Sequence, residues 1–333
     1  MKKMYNGNEI NRYFIFDEGY FPKPWGNFYF KEKLNKNILS NEPIGEAWLI
    51  SDREEYQSSI IHGPLKGKKI NEVINTFPEF IFGTDKTSPF PKKFPLLLKL
   101  IDANELLSVQ VHPDDPTALK LGEQDSGKTE MWYILDAKPN SFLYIGLKKN
   151  VKKEHLIKEI NHHRDIDKLL NKIYVKPGEH YLIPAGTVHA IGPGILLAEI
   201  QQNSNVTYRL FDWNRVDTNG KPRLLHIEKG MESIQEETIL LKAKKVEKKH
   251  TFGIERYLCS CPYFIAKYWE IEKECKIWDN NFSFHIVLSL SASYINIYDE
   301  NIKLNKGEAL LIPAKSCSSV VIKEGILLDY YQI

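Results

Sequence analysis

Cysteine is scarce in this chain. The 333 residues include four, Cys259, Cys261, Cys275 and Cys317, all in the last quarter. Cys259 and Cys261 stand too close in sequence to bridge easily, and no further paired ligands surround them to complete a cysteine–zinc site. Reduced thiols in a cytoplasmic protein are the expectation. Long apolar runs are missing too. No stretch reaches membrane-spanning length and the start shows no secretory hydrophobic region, which argues against a membrane role. The third absence is a charge excess. With 45 basic and 43 acidic residues, nothing draws the chain to nucleic acid or an anionic surface. The one Lys-rich run, "LKAKKVEKKH" (241–250), has no aromatic residues between its lysines and reads as a connector.

What is present is enough apolar material, 42%, to bury substantial cores in two domains. Residues 13–110 are dense in aromatics, prolines and short apolar runs such as "EAWLIS" and "FPLLLKLI". This predicts short strands with one helical patch around "INEVINTFPEFIF". The segment 150–173 has a different rhythm. Leu156, Ile157, Ile160, Ile166, Leu169, Leu170 and Ile173 fall near helical spacing between charges, which predicts one or two amphipathic helices inserted into a β-rich domain. His155, His162 and His163 belong to that charged insert and are expected in solvent. His62, His226, His250 and His285 have no companion ligands in sequence and receive no role.

An internal repeat organises the whole. "KPGEHYLIPAGTVHAI" (176–191) aligns with "NKGEALLIPAKSCSSV" (305–320), and "GILLAEI" (194–200) answers "GILLDYY" (325–331). Both copies read turn, strand, Pro-turn, strand, the rhythm of a jelly roll. The fold expected is mainly β: two cupin-type jelly-roll barrels with a helical insertion in the first. The domains would be 1–245, catalytic and metal-binding, and 250–333, without catalytic duty, because His189 of the first copy is Ser318 in the second.

The chemistry concentrates in three stretches. In "SVQVHPDD" (108–115) residues two apart share a face, so Ser108, Gln110 and His112 oppose Val109 and Val111. The valine side reads as core; the polar side needs another reason. Gly178, Pro184, Gly186 and His189 have the spacing of a conserved cupin motif, whose barrels often hold one metal. Glu130 lies in "GKTEMWYIL". Imidazole, carboxylate and amide oxygen are donors that a divalent first-row metal accepts, so Gln110, His112, Glu130 and His189 form a candidate shell. A lone histidine or glutamate of this kind is commonly a hydrogen-bonded core residue or a strand-edge carboxylate. Four such residues on three strand-like stretches favour the metal.

These stretches, with "PAGTVHAIGPGILLAEIQQNSNVTYRLFDW" and the early "KPWGN" and "IGEAW", closely resemble type I phosphomannose isomerases of the short bacterial form, most densely over 94–213. The resemblance implies a zinc-dependent aldose–ketose isomerase acting on mannose 6-phosphate and fructose 6-phosphate through an enediolate, with one Zn2+ per chain. By position it implies that Gln110, His112, Glu130 and His189 hold the metal and that Arg209 is an active-site arginine. Lys99, Ser108 and Lys128 would line the sugar-phosphate pocket. Lys128 or Glu199 would move the proton, Lys128 with a pKa lowered by the adjacent metal. The partner would be a small sugar phosphate, the chain a monomer or weak homo-oligomer.

Two positions depart from the family pattern: Asn205, where an aspartate is usual, and Asn27, where a second glycine is usual. Asparagine tolerates left-handed backbone angles, so Asn27 is expected to matter little. An amide at 205 cannot carry protons, which keeps open a second reading: a metal-binding double cupin that binds a sugar phosphate or regulates, without isomerase activity. A different metal cupin, such as an oxygenase, fits a glutamine ligand less well.

Overall fold

Strand β1 (Gly19–Asn27) opens a series that continues through β2 (Ile44–Ile50), β3 (Leu96–Ala103), β4 (Val109–Val111), β5 (Glu130–Ala137), β6 (Phe142–Leu147), β7 (Leu170–Tyr174), β8 (His180–Ile183), β9 (His189–Ile191), β10 (Ile195–Gln202) and β11 (Tyr208–Phe211). The computed structural model of the chain describes residues 10–83, 89–162, 164, 166–216, 220–236, 246–278 and 281–332. These strands form a six-stranded sheet, β1-β2-β3-β10-β5-β8, and a five-stranded sheet, β11-β4-β9-β6-β7. "LLLKLIDA" is buried at every residue, as a strand flanked on both sides and covered on both faces must be.

Side-chain alternation divides the core. Trp25, Ile101, Trp132, Ile134, Leu143, Ile145, Ile183, Ile191 and Leu197 come from both sheets and form one apolar cluster, the barrel interior. Val109, Val111, Tyr144, Ala190, Tyr208 and Leu210 join Leu156 and Ile160 in another cluster. The valine side of "SVQVH" therefore meets the helix Lys153–Asn161, and the polar side is left for the barrel interior.

Two helical expectations change. The insert is α-helical only over Lys153–Asn161, with a single 3-10 turn at Asp167–Leu169; Leu170–Tyr174 pairs with β6 as strand β7. Leu156, Ile160, Ile166 and Leu170 are buried as the spacing indicated, but four residues of strand satisfy that spacing as well as a second helix would. His155 and His162 are exposed, and His163 lies outside the described residues. "INEVINTFPEFIF" is two helices, Ile70–Thr76 and Pro78–Phe82, divided at Phe77 because Pro78 cannot continue the first. No described helix is long and apolar enough to cross a membrane.

The C-terminal strands are β12 (Val246–His250), β13 (Gly253–Ser260), β14 (Ile265–Ile271), β15 (His285–Ser289), β16 (Ser293–Ile297), β17 (Glu300–Leu304), β18 (Ala309–Ile312) and β19 (Val320–Tyr331). Their order is β12-β13-β14-β19-β15-β18, with β16 and β17 joined through β19. Strand β19 pairs with β16 before Gly325 and with β14 and β15 after it. Gly325 has φ +139°, and a Cβ there would meet Ser293 Oγ at 2.2 Å, so glycine is required where the strand changes partners. The interior holds Trp269, Val287, Ile295, Leu310, Ile312, Ile322 and Leu327. The second half of the Lys-rich run is strand β12 rather than connector; residues 241–245 lie outside the described residues. All four cysteines are free.

The chain groups into two compact units. One comprises Tyr20–Ala47 and Lys99–Lys242; the other comprises Met1–Gly19, Trp48–Leu98 and Ala243–Ile333. This differs from a linear division into 1–245 and 250–333. Within the second unit Phe14 bridges Leu311, Tyr13 Oη donates to Glu300 at 2.6 Å, and Phe82 and Phe94 pack on Phe284. Early residues thus complete the C-terminal barrel.

Candidate metal centre and active site

Strand β4 is short because Pro113 follows His112, and the chain turns back so that Lys128 N–H reaches the Pro113 carbonyl at 3.0 Å. That return delivers Lys128 and Glu130 to the same end of the barrel. Gly186, at φ +86°, donates its N–H to the His112 carbonyl at 2.7 Å and turns the chain into β9. Gln110 then pairs with His189 on one side and with Arg209 of β11 on the other.

His112, Glu130 and His189 are fully buried and offer ligand atoms within 4.8 Å of one another. His112 Nδ1 lies 2.8 Å from the Val206 carbonyl and His189 Nδ1 lies 2.9 Å from that of Thr187. A carbonyl can only accept, so each Nδ1 carries the proton and each Nε2 turns a lone pair inward. His112 Nε2 is 3.4 Å from Glu130 Oε2, and His189 Nε2 is 3.5 Å from Glu130 Oε1. Donors about 2.1 Å from a shared tetrahedral centre sit about 3.4 Å apart. Glu130 Oε1 is buried with no hydrogen-bond partner, a costly arrangement for a carboxylate unless a cation satisfies it. Gln110 Nε2–H lies 3.2 Å from the lone pair of His189 Nε2, which puts the amide at the edge of the cluster; its oxygen is the atom that could serve as a ligand. The cluster fits a metal ion.

Beside it lies a buried row of acids and lysines. The Lys128 ammonium donates to Glu130 Oε2 and stands 3.1 Å from His112 Nε2 and 3.7 Å from Glu199. Lys99 lies 3.8 Å from both Glu199 and Glu46, and Glu46 also meets Lys23 at 3.1 Å. Trp132 Nε1–H donates to Glu199 Oε2 at 2.8 Å. Burial lowers the His112 pKa to about 3, with Lys128's charge adding to it, and burial lowers that of His189. Both imidazoles are therefore neutral, the form in which Nε2 could bind a metal. Burial alone would raise Glu130, but the Lys128 ammonium holds it well below the usual carboxylate range. Glu199 goes up, through burial and then the charge of Glu130. Lys99 goes down through burial, against the pull of Glu46 and Glu199. Lys128 is also desolvated, yet Glu130 and Glu199 overcome that and raise it. Its ammonium form is favoured among these neighbours.

Arg209 faces Gln110 across the ladder, but its guanidinium turns to the Leu224 carbonyl at 2.8 Å instead of entering the acid–lysine row. Arg215 and Arg223 both bind Asp212, at 2.6 and 2.7 Å. Three guanidiniums against one carboxylate leave local positive charge, and burial followed by Arg223 lowers the Arg209 pKa. Ser108 is buried ahead of β4 and contributes no hydrogen bond to the acid–lysine row. Asn205 is exposed, its backbone N–H on Asp125 at 3.2 Å. Asn27 lies in extended β1 without a positive φ, so left-handed tolerance is not what accommodates it.

The residues missed by the sequence reading are Glu46, Trp132, Arg215 and Arg223. Glu46 sat in "IGEAW", the signal that could have found it.

The family described as "Phosphomannose isomerase type I, catalytic domain" matches residues 16–156. The mannose-6-phosphate isomerase of Streptococcus mutans is 36% identical over 293 residues, covering 87% of this chain and 89% of that protein. A Bacillus subtilis protein named "Probable mannose-6-phosphate isomerase GmuF" is 44% identical over 210 residues, 63% of this chain and 64% of its own length. The crystal structure of the Bacillus subtilis mannose 6-phosphate isomerase superposes with a TM-score of 0.88 at 32% identity, over 97% of this chain and 100% of that one.

Proposed function

The chain belongs to the type I phosphomannose isomerases, and from that premise we propose that it interconverts mannose 6-phosphate and fructose 6-phosphate, with one zinc ion per chain. One observation carries the metal reading: two buried histidines, each with Nδ1–H held by a carbonyl, turn unprotonated Nε2 atoms toward one carboxylate. Gln110, His112, Glu130 and His189 are the residues that would hold the ion. When bound, zinc supplies polarisation of the substrate's carbonyl and hydroxyl oxygens and stabilises the negative charge of an enediolate.

Glu199 is the proton carrier in this scheme. Trp132 orients its carboxylate, and Lys99 and Lys128 flank it. As a carboxylate it takes the proton from C2 of the aldose; as the acid it returns that proton to C1. The enhanced proton affinity that burial produces suits this exchange. Lys128, held as an ammonium, suits donation to a substrate oxygen better than abstraction. Lys99 stands between two carboxylates and is placed to hold a hydroxyl. Arg209, with Arg223 and Arg215 close by, offers the positive charge that a phosphate dianion requires, and Ser108 would add a hydroxyl to that pocket. Asn205 at the surface gives no support to a binder without activity.

The test is a coupled assay of mannose 6-phosphate isomerisation before and after chelation, with zinc added back. Loss and recovery of turnover is the expected result. Metal bound at full stoichiometry with no turnover would instead identify a binding protein.

A further inference from the structure

The two barrels share a strand order, so their registers can be laid one on the other. Strands β3-β10-β5-β8 in the first correspond to β14-β19-β15-β18 in the second. The repeat sets Ile183 on Ile312. Ile183 pairs with Glu130, and Ile312 pairs with His285, so His285 stands at the position of Glu130. One strand over, Glu130 faces Gln201 and Trp132 faces Glu199. Correspondingly, His285 faces Tyr331 and Val287 faces Asp329. Asp329 therefore occupies the place of Glu199, although aligning "GILLAEI" with "GILLDYY" sets it against Ala198. The irregularity in β10 between Leu196 and Leu197 supplies that one-residue offset.

The correspondence continues outward. Lys267 pairs with Asp329 across the ladder and donates to Glu255 of β13 at 2.8 Å. In the first barrel Lys99 stands between Glu199 of β10 and Glu46 of β2. An acid–lysine–acid row is thus present in both barrels. Ligand atoms grouped closely enough to hold a metal occur, among the described residues, only in the first.

We infer that the row Glu255–Lys267–Asp329, with His285, Tyr331 and Trp269, is a second binding site, metal-free, for an uncharged polyhydroxylated ligand such as a free hexose. Lys267 and Glu255 keep 22% and 17% of their side chains exposed, while His285 and Asp329 lie deeper. The site is therefore reached from solvent. Trp269, two residues along β14 from Lys267, is 5% exposed and its Nε1–H has no hydrogen-bond partner. Asp329 already accepts from His285 Nδ1 at 2.7 Å and Trp278 Nε1 at 2.9 Å, an arrangement that a purely structural network would explain. Such a network accounts for Lys267 through its bond to Glu255 but leaves the indole donor without a reason.

A donor row of Lys267, Trp269 and Tyr331 beside the acceptors Glu255 and Asp329 matches vicinal hydroxyls, each of which both gives and accepts. The rings of Trp278 and Tyr331 pack 4.7 and 4.8 Å from that of His285, and the partly exposed Tyr331 ring is the apolar face available to a sugar ring. Two carboxylates against one ammonium disfavour a phosphate dianion, which separates this ligand from the isomerase substrate.

Mannose is the probe. Calorimetric titration of the full chain with mannose should show a binding event that persists in His189→Ala. Lys267→Gln should weaken it at least about tenfold while leaving mannose 6-phosphate turnover unchanged. Tyr331→Phe, which removes a hydroxyl from a partly exposed ring, should weaken the same event and serves if Lys267→Gln does not fold. Wild-type chain that binds no mannose at millimolar concentration overturns the assignment. So does binding lost in His189→Ala and intact in Lys267→Gln, which would place the sugar in the first barrel.

Discussion

Glu199 and Asp102 are both buried acids on the six-stranded sheet, and their surroundings separate them. Glu199 has Trp132 and two ammonium groups around it; its burial is compensated. Replacing it with glutamine keeps the shape and the acceptor for Trp132 but removes the proton-carrying group. Glu199→Gln should lower kcat by about 10²–10⁴-fold, the usual contribution of a positioned general base, with metal content by atomic emission unchanged. A turnover within a few-fold of wild type would transfer the role to another residue. Asp102 has one backbone donor, Tyr29 N–H at 2.8 Å, while its Oδ1 is buried without a partner. Burial lifts its pKa from 3.8 to about 7. A raised carboxyl pKa means that the folded state binds the proton more tightly than the unfolded chain. Stability is then greatest below about pH 4 for this group and is lost as pH rises through about 7, by up to about 4 kcal/mol. Asp102→Asn removes that loss. Urea unfolding at pH 5 and pH 8 should show a smaller fall in stability with pH for the variant than for wild type; equal falls would show that Asp102 is ionised at little cost.

At the scale of elements, the glycines of "KPWGN" and "IGEAW" set how closely β1 and β2 approach. A Cβ on Gly26 would lie 2.7 Å from Gly45 N, and one on Gly45 would meet Lys23 and Trp25 at 2.6 and 2.7 Å. Both contacts fall well inside van der Waals separation, and the first is against backbone, which cannot rotate away. Gly26→Ala should therefore cost about 1–3 kcal/mol, read as a lower urea midpoint. The same displacement moves Glu46, the outer carboxylate of the Lys99 row, so kcat should fall as well. A variant of unchanged midpoint and rate would mean that the two strands separate freely.

For the whole molecule, the return of early residues to the C-terminal barrel has a direct consequence. Phe14, Phe82 and Phe94 are at most 1% exposed, and their partners include Leu311 and Phe284. A fragment ending at residue 245 keeps Gln110, His112, Glu130 and His189, the proposed metal ligands, yet strips these aromatics of cover. Three such rings represent several kcal/mol of lost burial, comparable with the whole stability of a domain. That fragment should bind an apolar dye and lack a cooperative melt. A sharp, dye-free melt would establish the linear division that the repeat suggested.

How much of this was legible beforehand depends on the range of the interactions involved. Gln110 and His112 opposite Val109 and Val111 follow from the two-residue period of a strand, which is local and visible in eight letters. His189 follows from the turn that Gly186 permits. These local rules, with the repeat, determined the strand rhythm, the duplicated barrel and the residues offered to a metal. They failed at 170–174, where strand and helix bury the same residues, and at 246–250, where lysines on a strand resemble a linker. They also had no means of bringing Glu46 to Lys99 or Phe14 to Leu311, because pairing between distant strands is selected by the packing of both faces and leaves little local mark. Asp329 shows the difference most closely: letter-by-letter alignment sets it on Ala198, and only the hydrogen-bond register, offset by one residue in β10, sets it on Glu199. The sequence by itself determined which side chains are available and which face of each strand they take. The tertiary structure decided which of them meet, since register is a property of two strands at once.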